Sequence, residues 1–234
     1  MASGYWRIAS GLLLVPVAVA SVAGCSGGGT STATASMAKS SASANTGFSA
    51  AKLRGALLTQ VNGVAAAAPA SSGNYSSLTN TGKQAANAVQ VTPKTCAGAV
   101  TGFNPTTLAG SPAAAVTFQV GTNGISEVLI ASSAKSASTV LAGRVPAECA
   151  KYQAKVGGKT YTYGTTEQAV TGIGQQASVL NVEPVGAKSE NLWSVIYRGK
   201  GFVGTVTVVG PNSSQKAVTE LGQQAYAYAV KSLS

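Results

Sequence analysis

Apolar positions recur at helical spacing at two places in the chain. In Ala50–Val61 the apolar residues fall on one face, and Ser49 can cap the first turn. A second amphipathic stripe runs from a potential cap at Ser213 or Ser214 to about Leu233 and predicts a closing helix. Shorter helical pieces are predicted at Lys94–Val100, Pro105–Leu108 and Ser136–Leu141.

Between these helices, short runs of β-branched and aromatic residues are separated by glycine-containing turns, which is typical of β-hairpins. The runs are Val116–Val120, Ile125–Ile130, Tyr152–Val156, Lys159–Tyr163, Ser178–Val182, Trp193–Arg198 and Phe202–Val209. Residues 62–90 are polar and turn-rich and give only a weak pattern. Hairpin strands flanked by helices predict an α+β domain, with an antiparallel β-sheet packed against N- and C-terminal helices.

The N-terminal 24 residues have the three parts of a secretory signal. Arg7 supplies the positive charge, Ile8–Ala20 is apolar, and small residues precede Cys25. The apolar stretch of about 13 residues is shorter than the roughly 20 that a membrane-spanning helix needs. Residues 1–24 are therefore expected to be a signal peptide that is removed on export.

The sequence Val22-Ala23-Gly24-Cys25 resembles the bacterial lipobox, in which the cysteine thiol receives a diacylglyceryl group before cleavage. The resemblance implies a lipid anchor on Cys25 at the extracytoplasmic face of the cell membrane. An unmodified cysteine beside an ordinary cleavage site is the alternative. Residues 25–47 continue as a Ser/Gly/Ala-rich segment that predicts a flexible tether, and residues 48–234 are long enough for one folded domain.

Two further cysteines, Cys96 and Cys149, follow in the folded part. An even number of cysteines in an exported domain favours a disulfide. Two free or redox-active thiols are the alternative, although the chain has no Cys-x-x-Cys motif. The pair is expected to form one structural bridge.

Composition excludes most catalytic machinery. The chain has 16 Lys and Arg, no His and six acidic residues, all of which are Glu, with a net charge of +10. A Ser-His-Asp triad, a Cys-His pair and a His-bearing metal site cannot be assembled, so neither enzymatic activity nor a cofactor or metal is expected. Serine–lysine or tyrosine–glutamate chemistry is the alternative. The basic residues are scattered, which argues against nucleic-acid binding.

Five aromatic residues late in the chain form the candidate ligand-binding set: Tyr161, Tyr163, Trp193, Tyr197 and Phe202. Tyrosine and tryptophan combine stacking surface with a polar edge and are common in ligand clefts. The alternative is that these side chains belong to the core or cover the sheet.

The order of these parts resembles the PknH extracellular sensor domain family of actinobacterial proteins, including its free-standing lipoprotein relatives. The matching positions are Cys96, Pro146 with Cys149, the turn Gly172–Ala177 that leads into a strand, and the strands of Trp193–Val209 before the closing helix. The resemblance implies an antiparallel sheet and a cleft for an unidentified ligand. This chain departs from the family's kinases, which typically carry two disulfides, and it has no kinase domain, so signalling would need a partner.

These observations together predict a cell-envelope lipoprotein with a non-enzymatic ligand-binding or sensor-like extracytoplasmic domain. The alternative is a structural or interaction lipoprotein that binds a partner protein or a cell-wall polymer. The expected partners are the membrane, through the lipid on Cys25, and either a small apolar ligand or an envelope protein.

Overall fold

The structure of the protein is a computed structural model that describes residues 47–79, 90–98, 105–143, 145–156, 159–186 and 191–234. The predicted signal peptide and Cys25 lie outside the described residues, as does the predicted tether apart from Gly47. The division into signal peptide, tether and domain therefore stays a prediction.

The described residues form eleven strands and five α-helices, together with two short 3₁₀-helices at Lys94–Gly98 and Ala147–Ala150. The helices are α1 (Ala50–Gly55), α2 (residues 75–79), α3 (Pro105–Leu108), α4 (Ala134–Ala142) and α5 (Gln215–Leu233). The strands are β1 (Gln60–Val61), β2 (Val64–Ala65), β3 (Ser71–Asn74), β4 (Gln90–Thr92), β5 (Pro112–Val120), β6 (Asn123–Ala131), β7 (Lys151–Val156), β8 (Lys159–Val170), β9 (Gln176–Pro184), β10 (Asn191–Gly199) and β11 (Phe202–Gly210).

Nine of these strands form one sheet in the order β3-β5-β6-β11-β10-β9-β8-β7-β4. Every neighbouring pair is antiparallel, and β1 and β2 form a separate hairpin. The predicted α+β class, with an antiparallel sheet between N- and C-terminal helices, is confirmed.

Helices α1 and α5 pack on one side of the sheet, which we call the helix face. Leu53 of α1 and Ala225 of α5 are fully buried there. Tyr197 of β10 lies across Gly204 of β11, where an added Cβ would come within 2.2 Å of the Tyr197 Cζ atom. Only glycine leaves room for this ring, so the sequence at β11 determines how the largest core side chain packs.

The opposite side of the sheet, which we call the disulfide face, is covered by α4 and the two 3₁₀-helices. Cys96 and Cys149 form the expected bridge, and both residues are completely buried. They pack with Leu180, Val182 and Leu192 of the sheet. The predicted structural disulfide is confirmed.

The predicted helix Ala50–Val61 is shorter in the structure and ends at Gly55. The backbone N–H of Leu58 donates to the carboxylate of Glu127 on β6, so it leaves the helical pattern. The following residues turn back through Asn62 (φ 50°) and Gly63 (φ 78°) as the β1–β2 hairpin. Asn-Gly is a strong signal for this kind of turn, and the apolar spacing that continued to Val61 concealed it.

Candidate binding site beside Trp193

The described residues form a small, partly open cavity of about 110 Å³ on the helix face, at the N-terminal end of α5. Its walls come from three adjacent strands and the first residue of that helix. The lining residues are Thr166, Glu167, Gln168, Val179, Trp193 and Gln215.

Strand register brings the lining residues together. Trp193 of β10 pairs with Asn181 of β9, which in turn pairs with Thr166 of β8, so their three side chains form one row across the sheet. In the next row Val179 pairs with Gln168. Because alternate residues of a strand point to the same face, both rows project toward the helix face.

The fourth wall is fixed by the start of α5. Ser214 caps the helix by accepting a hydrogen bond from the backbone N–H of Ala217 at 3.2 Å. The hydroxyl of Ser213 donates to the carbonyl oxygen of Asn191 at 2.8 Å, which ties the preceding loop to the beginning of β10. Gln215 is thereby held beside Trp193.

Asn181 lies between Trp193 and Thr166 and is 7% exposed. Its amide nitrogen lies 3.5 Å from a carboxylate oxygen of Glu183, whereas its carbonyl oxygen is buried and no described residue donates to it. A buried acceptor without a donor is costly, and this one lies in the same row as two side chains that line the cavity.

The cavity presents neutral groups. Thr166 contributes a hydroxyl, Gln168 and Gln215 contribute carboxamides, and Trp193 contributes a half-buried indole. The carboxylate of Glu167 is on the disulfide face instead, where it accepts the backbone N–H of Val145 at 3.0 Å. The site therefore offers hydrogen bonds and a stacking surface but no titratable side chain, which suits binding rather than proton transfer.

The structure does not bring the five predicted aromatic residues together. Tyr197 is 0% exposed and Phe202 is 2% exposed. Their rings contact each other and Tyr226 of α5, with centroid distances of 5.8 to 6.4 Å, inside the core beneath that helix. These two side chains pack in the protein interior, which corresponds to the alternative given for them above.

The two tyrosines of β8 point away from the cavity. Tyr163 stacks on Tyr152 of β7 on the disulfide face, with ring centroids 5.6 Å apart. Tyr161 follows the same alternation and is 41% exposed. Of the five aromatic residues, Trp193 alone lines the described cavity, so ligand binding at this residue remains a prediction.

A buried carboxylate is a second notable feature, and the sequence analysis did not single it out. Glu127 of β6 is 1% exposed, and its Oε2 atom accepts the N–H of Leu58 at 2.8 Å. Its Oε1 atom and the phenol oxygen of Tyr197 are buried without a hydrogen-bond partner among the described residues. Burial raises the pKa of Glu127 to about 7, against a smaller lowering by the Leu58 hydrogen bond.

The phenol of Tyr197 lies in the same environment. Burial is the larger cause that raises the pKa of its phenol, and the nearby Glu127 carboxylate adds to it. The signal for Glu127 was present in the sequence, because Ile125, Glu127 and Leu129 alternate on the buried side of β6. A charged residue at an inward position was the clue.

The described ranges contain no cluster of three or more His, Cys, Asp or Glu that could hold a metal ion. No helix within them is long and apolar enough to cross a membrane.

No protein-family model matches the chain, and no curated protein matches it. Among solved structures, the chain is similar to the extracellular domain of PknH from Mycobacterium tuberculosis, with a TM-score of 0.48 and 16% identity over 62% of this chain and 77% of that chain. It is also similar to an uncharacterised protein from Mycobacterium smegmatis, with a TM-score of 0.31 and 14% identity over 62% of this chain and 75% of that one.

Proposed function

We propose that the protein is a lipid-anchored, non-enzymatic binding domain on the extracytoplasmic side of the cell envelope, with its ligand site beside Trp193. The observation that carries the proposal is the lining of the cavity, which combines an indole with neutral hydrogen-bonding groups. Catalysis by a side chain would need an acid, a base or an activated nucleophile aimed at the ligand, and the Thr166 hydroxyl in this lining has no base beside it among the lining side chains.

The Cys96–Cys149 disulfide supports the location. Structural disulfides persist in oxidising compartments and are rare in the cytosol of most bacteria. Together with the lipobox-like sequence before Cys25, this favours export followed by attachment through lipid.

The polarity of the cavity bears on the class of ligand. A small apolar ligand would need a largely apolar lining, whereas Thr166, Gln168 and Gln215 direct polar side chains to this cavity. Since a carboxamide can both donate and accept, Gln168 and Gln215 suit a ligand with hydroxyl or amide groups.

Native mass spectrometry tests the binding function. The full chain is purified from an actinobacterial host and released from detergent micelles in the gas phase, beside the variants Trp193→Ala and Tyr161→Ala. We expect an adduct of a few hundred daltons or more on the wild type and on Tyr161→Ala, which alters an exposed ring on the opposite face. Trp193→Ala should lose it. A bare protein mass for the wild type, or an adduct that persists in Trp193→Ala, contradicts the proposal.

A further inference from the structure

Helices α1 and α5 cover only part of the helix face. Helix α5 contacts β9, β10 and β11, and α1 contacts β3, β5 and β6. The same face of β7 and β8 continues beyond the cavity toward the edge of the sheet. Its solvent-exposed side chains are Lys151, Gln153, Lys155, Thr160, Thr166 and Gln168.

This exposed surface is polar and carries little net charge. Lys151 and Lys155 are its cations, and the exposed Glu183 of β9 lies in the same cross-strand row as Lys151. The other side chains are hydroxyls and carboxamides. Each of these both donates and accepts hydrogen bonds, whereas a lysine only donates and a carboxylate only accepts.

Trp193 stands at the inner end of this surface. Three strand spacings, or roughly 14 Å, separate β10 from β7. Gln153 pairs with Thr162, which is four residues before the Trp193 row on β8, so it is displaced by roughly another 14 Å along the strands. The indole is the flat apolar element of the row, and Asn181 beside it has a buried carbonyl oxygen to which no described residue donates.

We infer that this surface, from Trp193 to Gln153, binds a neutral glycan; the inference rests on the binding function proposed above. A sugar ring has a C–H face that stacks on an aromatic plane and hydroxyls around its rim that both donate and accept. One ring stacks on Trp193 within the cavity and hydrogen-bonds to Gln168 and Gln215. The following rings lie across β8 and β7 against Thr166 and Gln153.

Other ligand classes fit this surface less well. An extended peptide that binds to a sheet adds to a strand edge, where main-chain groups are free, whereas this is a sheet face whose main chain is already paired. A polyanion would need a cluster of cations, whereas this surface has only Lys151 and Lys155, and the Glu183 carboxylate lies in the same row as Lys151. A lipid chain would need a continuous apolar lining.

Tryptophan emission reports directly on the site. The chain has two tryptophans, Trp193 and Trp6, which lies in the predicted signal peptide. Trp6→Phe makes Trp193 the single indole whether or not that segment is removed. The full chain with Trp6→Phe is titrated in detergent with three neutral probes, cellohexaose, laminarihexaose and mannohexaose. A Ser/Gln/Ala hexapeptide and inorganic polyphosphate serve as competing ligand classes.

We expect a saturable change of emission with at least one hexasaccharide, and binding about tenfold weaker for the corresponding disaccharide because it cannot span the strands. Thr166→Val and Gln168→Ala, both at exposed positions, should weaken binding about three- to tenfold, as expected for the loss of one hydrogen bond. Calorimetry should show no binding to Trp193→Ala and unchanged binding to Tyr161→Ala.

The outcomes separate the two proposals. Three results would overturn the glycan assignment. The first is that the peptide or polyphosphate binds in place of the sugars, the second is that the cavity variants leave the affinity unchanged, and the third is that no hexasaccharide binds. If mass spectrometry still shows an adduct that depends on Trp193 and whose mass is not built from sugar units, the binding domain stands and only the glycan is wrong. If neither experiment detects a ligand, both proposals fall.

Discussion

The carboxyl group of Glu127 sits where a charge is least favourable. It is buried between the sheet and the end of α1, and among the described residues it accepts one hydrogen bond, from the backbone N–H of Leu58. A protonated carboxyl costs far less to bury than a carboxylate. The fold therefore favours the neutral form of Glu127, which explains why its pKa is raised to about 7.

We predict that stability falls as the pH rises through this range. The folded state keeps the Glu127 proton to about pH 7, whereas the unfolded chain loses it near 4.5. Protonated Glu127 therefore contributes on the order of 3 kcal/mol to the free energy of unfolding. This contribution is fully present below about pH 4.5 and is lost as the pH rises through about 7. Urea denaturation of the wild type at pH 4.5, 6 and 8 measures it.

The matched variants are Glu127→Gln and Glu220→Gln. Glutamine at position 127 can still accept the Leu58 hydrogen bond but cannot ionise, so the pH dependence assigned to this group should disappear. Glu220 lies on the surface of α5 beside Lys216, and its substitution should leave the slope between pH 4.5 and 8 unchanged. An unaltered slope in Glu127→Gln would show that the buried carboxyl is not its source.

The comparison of Trp193 with Tyr197 shows how much of the candidate binding site could be predicted from the sequence. The predicted aromatic set included Trp193, which lines the cavity, but could not separate it from Tyr197, four residues further along the same face. What separates them is the position of α5, which covers Tyr197 and begins beside Trp193. That placement depends on long-range packing, which periodicity within one strand does not encode.

At the scale of elements, β8 shows where sequence patterns failed. Its predicted extent ended at Tyr163, whereas the strand continues to Val170. The continuation is polar on both sides of the strand, because Glu167 is directed to the disulfide face while the helix face there is uncovered. The alternation of apolar and polar residues that marks a half-buried strand is therefore missing. Thr166 and Gln168 lie in this continuation, and they were missed as site residues for that reason.

The two 3₁₀-helices are joined by the disulfide. Each is a single short turn, and Cys96 and Cys149 connect them across 53 positions of sequence. Closing a loop of this length stabilises the folded state by about 4 kcal/mol in the chain-entropy treatment. We predict that Cys96→Ala with Cys149→Ala lowers the free energy of unfolding by about that amount.

Urea denaturation at fixed pH measures the change, with the wild type in reductant as the comparison. Because both sulfurs are fully buried, reductant alone should act only once the chain unfolds, so the folded wild type should remain oxidised. A double variant within about 1 kcal/mol of the wild type would mean that the two turns are held by packing.

At the scale of the whole molecule, the anchor and the binding surface are separate features. The anchor is predicted from a four-residue pattern at Cys25, which the described residues do not include, while the proposed site is built from strands and a helix far along the chain. A local sequence pattern is enough to predict the anchor. The binding surface needed the register of β8, β9 and β10 and the start of α5, which the sequence located only approximately.

This separation predicts two independent losses of function. Cys25→Ser removes the thiol that would carry lipid, so the protein should leave the membrane fraction. The reason is that each acyl CH₂ buried in the bilayer contributes about 0.8 kcal/mol to the free energy of membrane binding. Its ligand adduct should persist, since no cavity residue changes. Trp193→Ala should do the reverse and stay at the membrane without the adduct. Fractionation with metabolic labelling by a fatty acid, followed by native mass spectrometry, measures both. If Cys25→Ser remains unchanged in the membrane fraction, the attachment arises from another part of the protein.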